Sequence, residues 1–378
     1  MIPVNEPLIM EKDLEYVTDA LKTGWISSEG IYIKKFEEAF ASFLGVKHAI
    51  TVNNGTNALI LAVRSLNLPV GSEIIMPSMT IISCALAAIY NNMIPVFVDS
   101  DPQTWCIDAN KIEEKITTKT KIIMPVHLYG HAVDMDSILK LALKYNLIVL
   151  EDFAEAIGSK YKSKMCGSIG NIGAASFYAN KAITTGEGGI CVTNDDDIAA
   201  NLRKLKNLAF IPEKRFLHYE LGFNFRMTNV QAAIGLAQTE RVKNHIEKKI
   251  WIGKTYNSLL KELEEKKVIQ LPTEKEWTLN TYWVYGVVLN KKLGINADEI
   301  MEKLTEKGIM TRPFFYPLHK QPAFKKFDWY RENEIMPVAE YLGDYGFYFP
   351  SGLTLTEENI QTVVNEFKSV VNEYSKNY

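Results

Sequence analysis

The sequence predicts an α/β sandwich, a mostly parallel sheet covered by helices on both faces, followed by a smaller α+β unit. Three observations carry this expectation. Short apolar runs alternate with segments of helical spacing from residue 47 to 152. Those runs are apolar at consecutive rather than alternate positions, as strands buried on both faces are. Past residue 263 the order of elements changes. Strands joined through helices enter a sheet in parallel, with right-handed crossovers.

In chain order, Ala49-Ile50-Thr51-Val52 is the first strand and residues 56–66 the first helix of the series. Ile74-Ile75-Met76 follows, then a helix over 80–90, then Pro95-Val96-Phe97-Val98, Ile122-Ile123-Met124-Pro125-Val126 and Leu147-Ile148-Val149-Leu150. The stretch 74–98 carries no charge and is long enough to cross a bilayer. Pro77, Ser78, Thr80, Ser83, Asn91, Asn92 and Pro95 instead divide it into strand, helix and strand of a buried core. Gly189-Ile190-Cys191-Val192-Thr193 closes the large sheet, and one long Lys/Glu-rich helical stretch over 229–263 leads away from it. A strand at 268–271, the aromatic run Tyr282-Trp283-Val284-Tyr285, a helix near 297–307 and a final helix near 357–374 build the smaller unit. The expected division is a large domain over 1–240 and a small one over 241–378, with no internal repeat, low-complexity segment or Pro/Gly/Ser linker.

Composition narrows the function. With 42 basic and 45 acidic side chains in 378 residues, the net charge is −3, and 47% hydrophobic against 23% charged residues is the balance of a soluble globular chain. No dense basic block is present, which argues against binding nucleic acid through its phosphates. Cys84, Cys106, Cys166 and Cys191 are widely spaced, without CxxC pairs or zinc spacing, and read as reduced thiols of a cytoplasmic protein. No metal site is expected. The N-terminal residues have neither a basic segment nor an apolar one of secretory type.

In an open parallel sheet, ligands bind beyond the carboxyl ends of the strands. Asp152 follows such a run through Glu151, and its carboxylate is expected at that edge; a helix cap or turn acid is the bland alternative. Lys181 sits between the apolar Ser176-Phe177-Tyr178 and the loop Thr184-Thr185-Gly186-Glu187-Gly188-Gly189, which can approach a ligand closely. A buried lysine gives up its proton more readily and can condense with a carbonyl, whereas a lone lysine is usually a solvated charge. Asn53-Asn54-Gly55-Thr56-Asn57 is a glycine-containing turn into a helix, and a helix start binds anions. Pyridoxal 5'-phosphate needs all three together: an anion site, a carboxylate for its ring nitrogen and an amine for its aldehyde.

On these motifs the chain resembles the nucleotide-sugar aminotransferases of the DegT/DnrJ type, within the fold type I pyridoxal phosphate enzymes. The resemblance spans essentially the whole chain, from Gly24-Trp25-Ile26-Ser27-Ser28 to Tyr316-Pro317-Leu318-His319, and runs to the branch that makes GDP-perosamine. It implies a seven-stranded, mostly parallel sheet. It also implies that Lys181 is the lysine that holds the cofactor and moves a proton, that Asp152 pairs with the ring nitrogen, and that Glu155 contacts the phenolic oxygen. Gly55, Thr56, Asn57 and Ser176 match the phosphate site, and Asn224 matches an asparagine that reaches the phosphate of a neighbouring subunit, so a homodimer with shared sites is implied. Where relatives commonly place a ring-stacking group, Pro77-Ser78-Met79-Thr80-Ile81 offers Ile81, which covers a ring by dispersion alone.

The activity implied is transfer of the amino group of L-glutamate, through pyridoxamine 5'-phosphate, to C4 of a nucleotide-linked 4-keto-6-deoxy sugar. GDP-4-keto-6-deoxy-D-mannose is the first choice, giving GDP-perosamine for a bacterial O-antigen of lipopolysaccharide, with UDP or dTDP sugars as alternatives. Relatives that dehydrate the sugar carry histidine at the position of Lys181, which favours transamination. A non-catalytic sugar-nucleotide sensor would dispense with Lys181 or Asp152, and a Rossmann dehydrogenase would need a G-x-G-x-x-G turn that 53–57 does not supply. For His319 and Tyr316, substrate contact and loop packing both fit. His218 and Arg226 suit a diphosphate or an ion pair. His127 and His131 flank Tyr129-Gly130 as turn residues, and the run 282–285 reads as core rather than a stacking platform.

Overall fold

The apolar runs become strands because each is short, rich in β-branched residues and bounded by turn formers. The structure, a computed structural model, describes residues 1–211, 213–214 and 216–374. Its helices are α1 (Glu11–Lys22), α2 (Ile31–Leu44), α3 (Gly55–Ser65), α4 (Ser83–Ile89), α5 (Met135–Tyr145) and α6 (Asp196–Leu205) in the first half. Then come α7 (Asn229–Glu240), α8 (Val242–Glu265), α9 (Ala297–Glu306), α10 (Pro337–Tyr345) and α11 (Glu357–Tyr374). The large sheet has seven strands: β1 (His48–Val52), β2 (Glu73–Pro77), β3 (Ile94–Val98), β4 (Thr120–Ile123), β5 (Ile148–Asp152), β6 (Ile172–Ser176) and β7 (Gly189–Thr193). Their spatial order is β1-β7-β6-β5-β4-β2-β3.

The pairs β3-β2, β2-β4, β4-β5 and β5-β6 are parallel. β7 is antiparallel to both β6 and β1, with Gly189 paired to Ser176 on one side and Val52 on the other. The last of these seven strands in chain order therefore lies inside the sheet, not at its border. That arrangement brings the carboxyl ends of β1, β5 and β6 to the same edge as the start of β7. A side chain at Gly189 would stand 2.4 Å from the Asn54 carbonyl oxygen, so only glycine lets that edge close.

The expected single helix over 229–263 is two helices. Arg241, with φ −116° and ψ 15°, separates α7 from α8, and its side chain turns back to hydrogen-bond the α7 carbonyl of Ala237. A Thr228/Gln231 capping box starts α7. The segment 74–98 is β2, α4 and β3, and among the described residues no helix is long and apolar enough to cross a membrane.

A second sheet comprises β8 (Ile269–Gln270), β9 (Tyr285–Leu289), β10 (Arg312–Pro313) and β11 (Gly346–Phe349), in the order β8-β9-β11-β10. Two cores result. One is centred on the large sheet, with Phe36, Phe40, Phe153 and Phe177, and takes in Trp283, Phe314 and Leu318 from late in the chain. The other packs Tyr256, Tyr285, Phe349 and Phe367 between α8, α11 and the second sheet. Thr278–Leu279 pairs with Lys160–Tyr161, so backbone hydrogen bonds join the later segment to the loop that follows β5.

Candidate active site

At the shared edge a cavity of about 340 Å³ opens between the first turn of α3, the ends of β5 and β6, and the segments around Trp283 and Phe315. The turn into α3 is built by Asn54, whose side chain accepts the Asn57 N–H at 2.8 Å. Gly55 and Thr56 line the cavity, and first-turn N–H groups have no acceptor inside their own helix. A Cβ at Gly55 would lie 2.5 Å from Ser176 Cβ, so glycine allows the helix start to sit against the end of β6. Thr56 Oγ1 and Ser83 Oγ share a hydrogen bond of 2.7 Å, and Ser176 Oγ accepts the Tyr178 N–H. Hydroxyls and free N–H groups thus gather at the positive end of a helix.

Across the cavity stand three ionisable groups. Asp152, at the end of β5, is 3% exposed; it accepts the Ala154 N–H at 3.0 Å and the Cys84 thiol at 3.3 Å. Burial raises its pKa, against the pull of those donors and of Lys181. Glu155 is pushed up to about 7 by burial, although the Lys181 amine and the Tyr129 N–H favour its carboxylate. The Lys181 amine lies 3.8 Å from Glu155 Oε1, and burial lowers its pKa while the two carboxylates raise it. Desolvation thus favours the neutral form of each of the three groups.

These residues meet the needs of pyridoxal 5'-phosphate. A helix N-terminus with hydroxyls suits the phosphate, Asp152 a ring nitrogen, and Lys181 an aldehyde. Asn180 Oδ1, on a residue lining the cavity, is buried without a hydrogen-bond partner among the described residues. The volume falls within the roughly 300–1,000 Å³ of small-molecule sites.

Of the residues singled out from sequence, Gly55, Thr56, Ile81, Asp152, Glu155, Ser176 and Lys181 line one cavity. Asn57 is outside this lining, its side chain donating to Asn53. Asn224 and Arg226 lie outside this lining and bond each other at 2.9 Å. Tyr316 is 58% exposed and also outside it. Of the two readings open for His319, its surroundings favour loop packing: it is 1% exposed, with Nδ1 2.6 Å from Ser78 Oγ and Nε2 3.0 Å from Glu340 Oε1. Both ring nitrogens are used in packing the loop. His218 bonds the Leu208 carbonyl, and His131 that of Ala132.

The aromatic run 282–285 is buried, yet it is not core alone. The Lys181 amine lies 3.4 Å from the centre of the Trp283 ring, and Phe315 and Tyr348 complete that wall. A tryptophan inside an apolar run carries no local sign of this role.

Comparison with known proteins supplies the family. Residues 7–368 match the DegT/DnrJ/EryC1/StrS aminotransferase family. The chain is 42% identical to the GDP-perosamine synthase of Caulobacter vibrioides over 370 residues, covering 98% of each chain. It is 42% identical to that of Escherichia coli O157:H7 over 371 residues, covering 97% and 99%. Among solved structures, an aminotransferase from Psychrobacter cryohalolentis superposes with a TM-score of 0.92 at 30% identity, covering 98% of both chains. By fold and site the protein is an aminotransferase. The chain belongs to the DegT/DnrJ/EryC1/StrS family of these enzymes.

Proposed function

We propose that the cavity holds pyridoxal 5'-phosphate and that the protein moves the amino group of L-glutamate to C4 of a nucleotide-linked 4-keto-6-deoxy sugar. GDP-4-keto-6-deoxy-D-mannose is the sugar favoured, with GDP-perosamine as product. The observation that carries this reading is the meeting of Lys181, Asp152 and Glu155 with the start of α3 in one cavity. When bound, the cofactor supplies an electrophilic carbonyl and an electron-withdrawing ring that stabilises negative charge on the neighbouring carbon.

The chain's own residues do the rest. The Gly55 and Thr56 N–H groups and the Ser176 hydroxyl bind the phosphate. The Asp152 carboxylate would keep a proton on the ring nitrogen. Lys181 Nζ, whose neutral form burial favours, would supply the amine that holds the aldehyde and, once free, would take a proton from the donor carbon in one half of the reaction and give one to the sugar carbon in the other. Ile81, Trp283 and Phe315 exclude water. Asn224 lies on an exposed stretch with Phe216, Tyr219 and Leu221, which are 82%, 81% and 80% exposed. We read that stretch as reaching a second copy, in a homodimer whose subunits complete each other's sites.

The test is incubation with L-glutamate and a panel of GDP-, UDP- and dTDP-4-keto-6-deoxy sugars, following 2-oxoglutarate. Release with the GDP sugar alone supports the reading, and preference for another nucleotide replaces the substrate. Lys181→Ala is expected to lower turnover by at least roughly 10³-fold and to abolish the visible cofactor absorbance, with an unchanged circular dichroism spectrum.

A further inference from the structure

We propose that Trp283 is a positioning residue for this reaction: its indole face is the seat on which the free amine of Lys181 rests, beside Glu155, whenever that amine is not bonded. The inference rests on the aminotransferase reading above. It starts from two distances. Lys181 Nζ stands 3.4 Å from the Trp283 ring centre and 3.8 Å from Glu155 Oε1. The negative face of an indole attracts a cation, more strongly where water is excluded.

The ring is held on several sides. Its Nε1–H donates to the carbonyl of Asn180, next in the chain to Lys181, at 2.8 Å. Its plane lies 27° from that of Tyr129, with centroids 6.2 Å apart. Tyr129 in turn donates its backbone N–H to Glu155. The Trp283 carbonyl accepts from Lys249 Nζ at 2.9 Å. Lys249, on α8, is 2% exposed and also donates to the Ser351 carbonyl, and no carboxylate of the described residues pairs with it. A buried lysine used to hold a backbone carbonyl is costly, and here the carbonyl belongs to the residue that meets Lys181.

The seat matters because amino transfer has two halves. Between them Lys181 must be free, yet its proton must be carried from one place. A four-carbon side chain has many rotamers, and the indole face selects among them. The charged groups acting on the Lys181 amine are Glu155 and Asp152, which favour its ammonium, and Lys249, with which it shares like-charge repulsion.

The test follows capture of pyridoxal phosphate by the apoprotein, in which amine and aldehyde condense with loss of one water. Capture rate is read as a function of pH, and pyridoxamine phosphate, which cannot condense, gives affinity alone. W283L is expected to slow capture about tenfold on the alkaline plateau, where the amine is neutral in both proteins and only its placement differs, to leave pyridoxamine phosphate affinity within about twofold, and to move the midpoint of the pH profile downward, because the ring favoured the ammonium. K249M, which leaves the cavity lining untouched, is expected to slow capture as well, but with the midpoint of the pH profile moved upward, because a like charge is removed. Should W283L not fold, W283F carries the same sign at smaller amplitude. For W283L, an unchanged rate, a midpoint rising toward the ordinary lysine value, or an equal loss of pyridoxamine phosphate affinity overturns the seat. Borohydride reduction and peptide mapping of the wild type keep the two ideas apart: failure to mark Lys181 there removes the cofactor assignment itself.

Discussion

Glu151 and Asp152 are neighbours at the end of β5, both buried, and they do opposite work. Strand side chains alternate between faces, so one acid turns into the scaffold and the other toward the cavity. Glu151 is saturated: Oε1 accepts the Ile169 and Gly170 N–H groups, and Oε2 accepts Gly167 N–H and His127 Nε2–H, all within 2.9 Å. His127 Nδ1 accepts the Val133 N–H, which leaves Nε2 as the donor. Asp152 accepts one N–H and one weak thiol. A buried acid with all its lone pairs used is structural; one left short of partners is available to a ligand.

The sharpest way to break this contrast is Glu151→Gln beside Asp152→Asn. A glutamine amide would face either two backbone N–H groups or the Gly167 N–H with His127, so two donors lose their acceptor. Glu151→Gln should therefore lower unfolding free energy by about 3 kcal/mol in urea titration. Asp152→Asn should change it by under about 1 kcal/mol and cut turnover roughly a hundredfold. Equal stability losses in both would erase the distinction.

A smaller effect sharpens it. Glu155 is an acid whose pKa folding raises, so its contribution to apoprotein stability is full below about 4.5 and is lost as pH rises through about 7. Glu155→Gln removes that titration, and thermal melts of the apoproteins should show the variant gaining about 2 kcal/mol on wild type between those pH values. The Lys181 ammonium opposes this and limits its size. Smallest is His319→Gln, which belongs with the scaffold: about 1 kcal/mol of stability lost, with KM for the sugar unchanged. A large rise in KM would return His319 to the substrate site.

Much of this was legible in the sequence for a physical reason. Strands buried on both faces must be apolar throughout, and residues that follow such runs lie at a sheet edge, so Asp152 and Lys181 could be placed from local pattern. The interior, antiparallel place of β7 could not, because strand order depends on pairing between distant segments. The break at Arg241 escaped because a short αR-to-bridge step interrupts no periodicity. His319 stays open between two readings in the sequence, and the contact of Trp283 with Lys181 is not foreseen there: neither polarity in a loop nor aromaticity in an apolar run reveals what stands across the cavity.

The short ladder between Thr278–Leu279 and Lys160–Tyr161 fixes a count of residues as well as a contact. Only Asn280, Thr281 and Tyr282 separate it from Trp283. Extra residues in the turn before 278 can bulge outward harmlessly, whereas deleting one between the ladder and the indole would offer Val284 to the lysine instead. Tolerance to length change should therefore switch abruptly within a few positions, as on a ruler whose zero mark is the ladder.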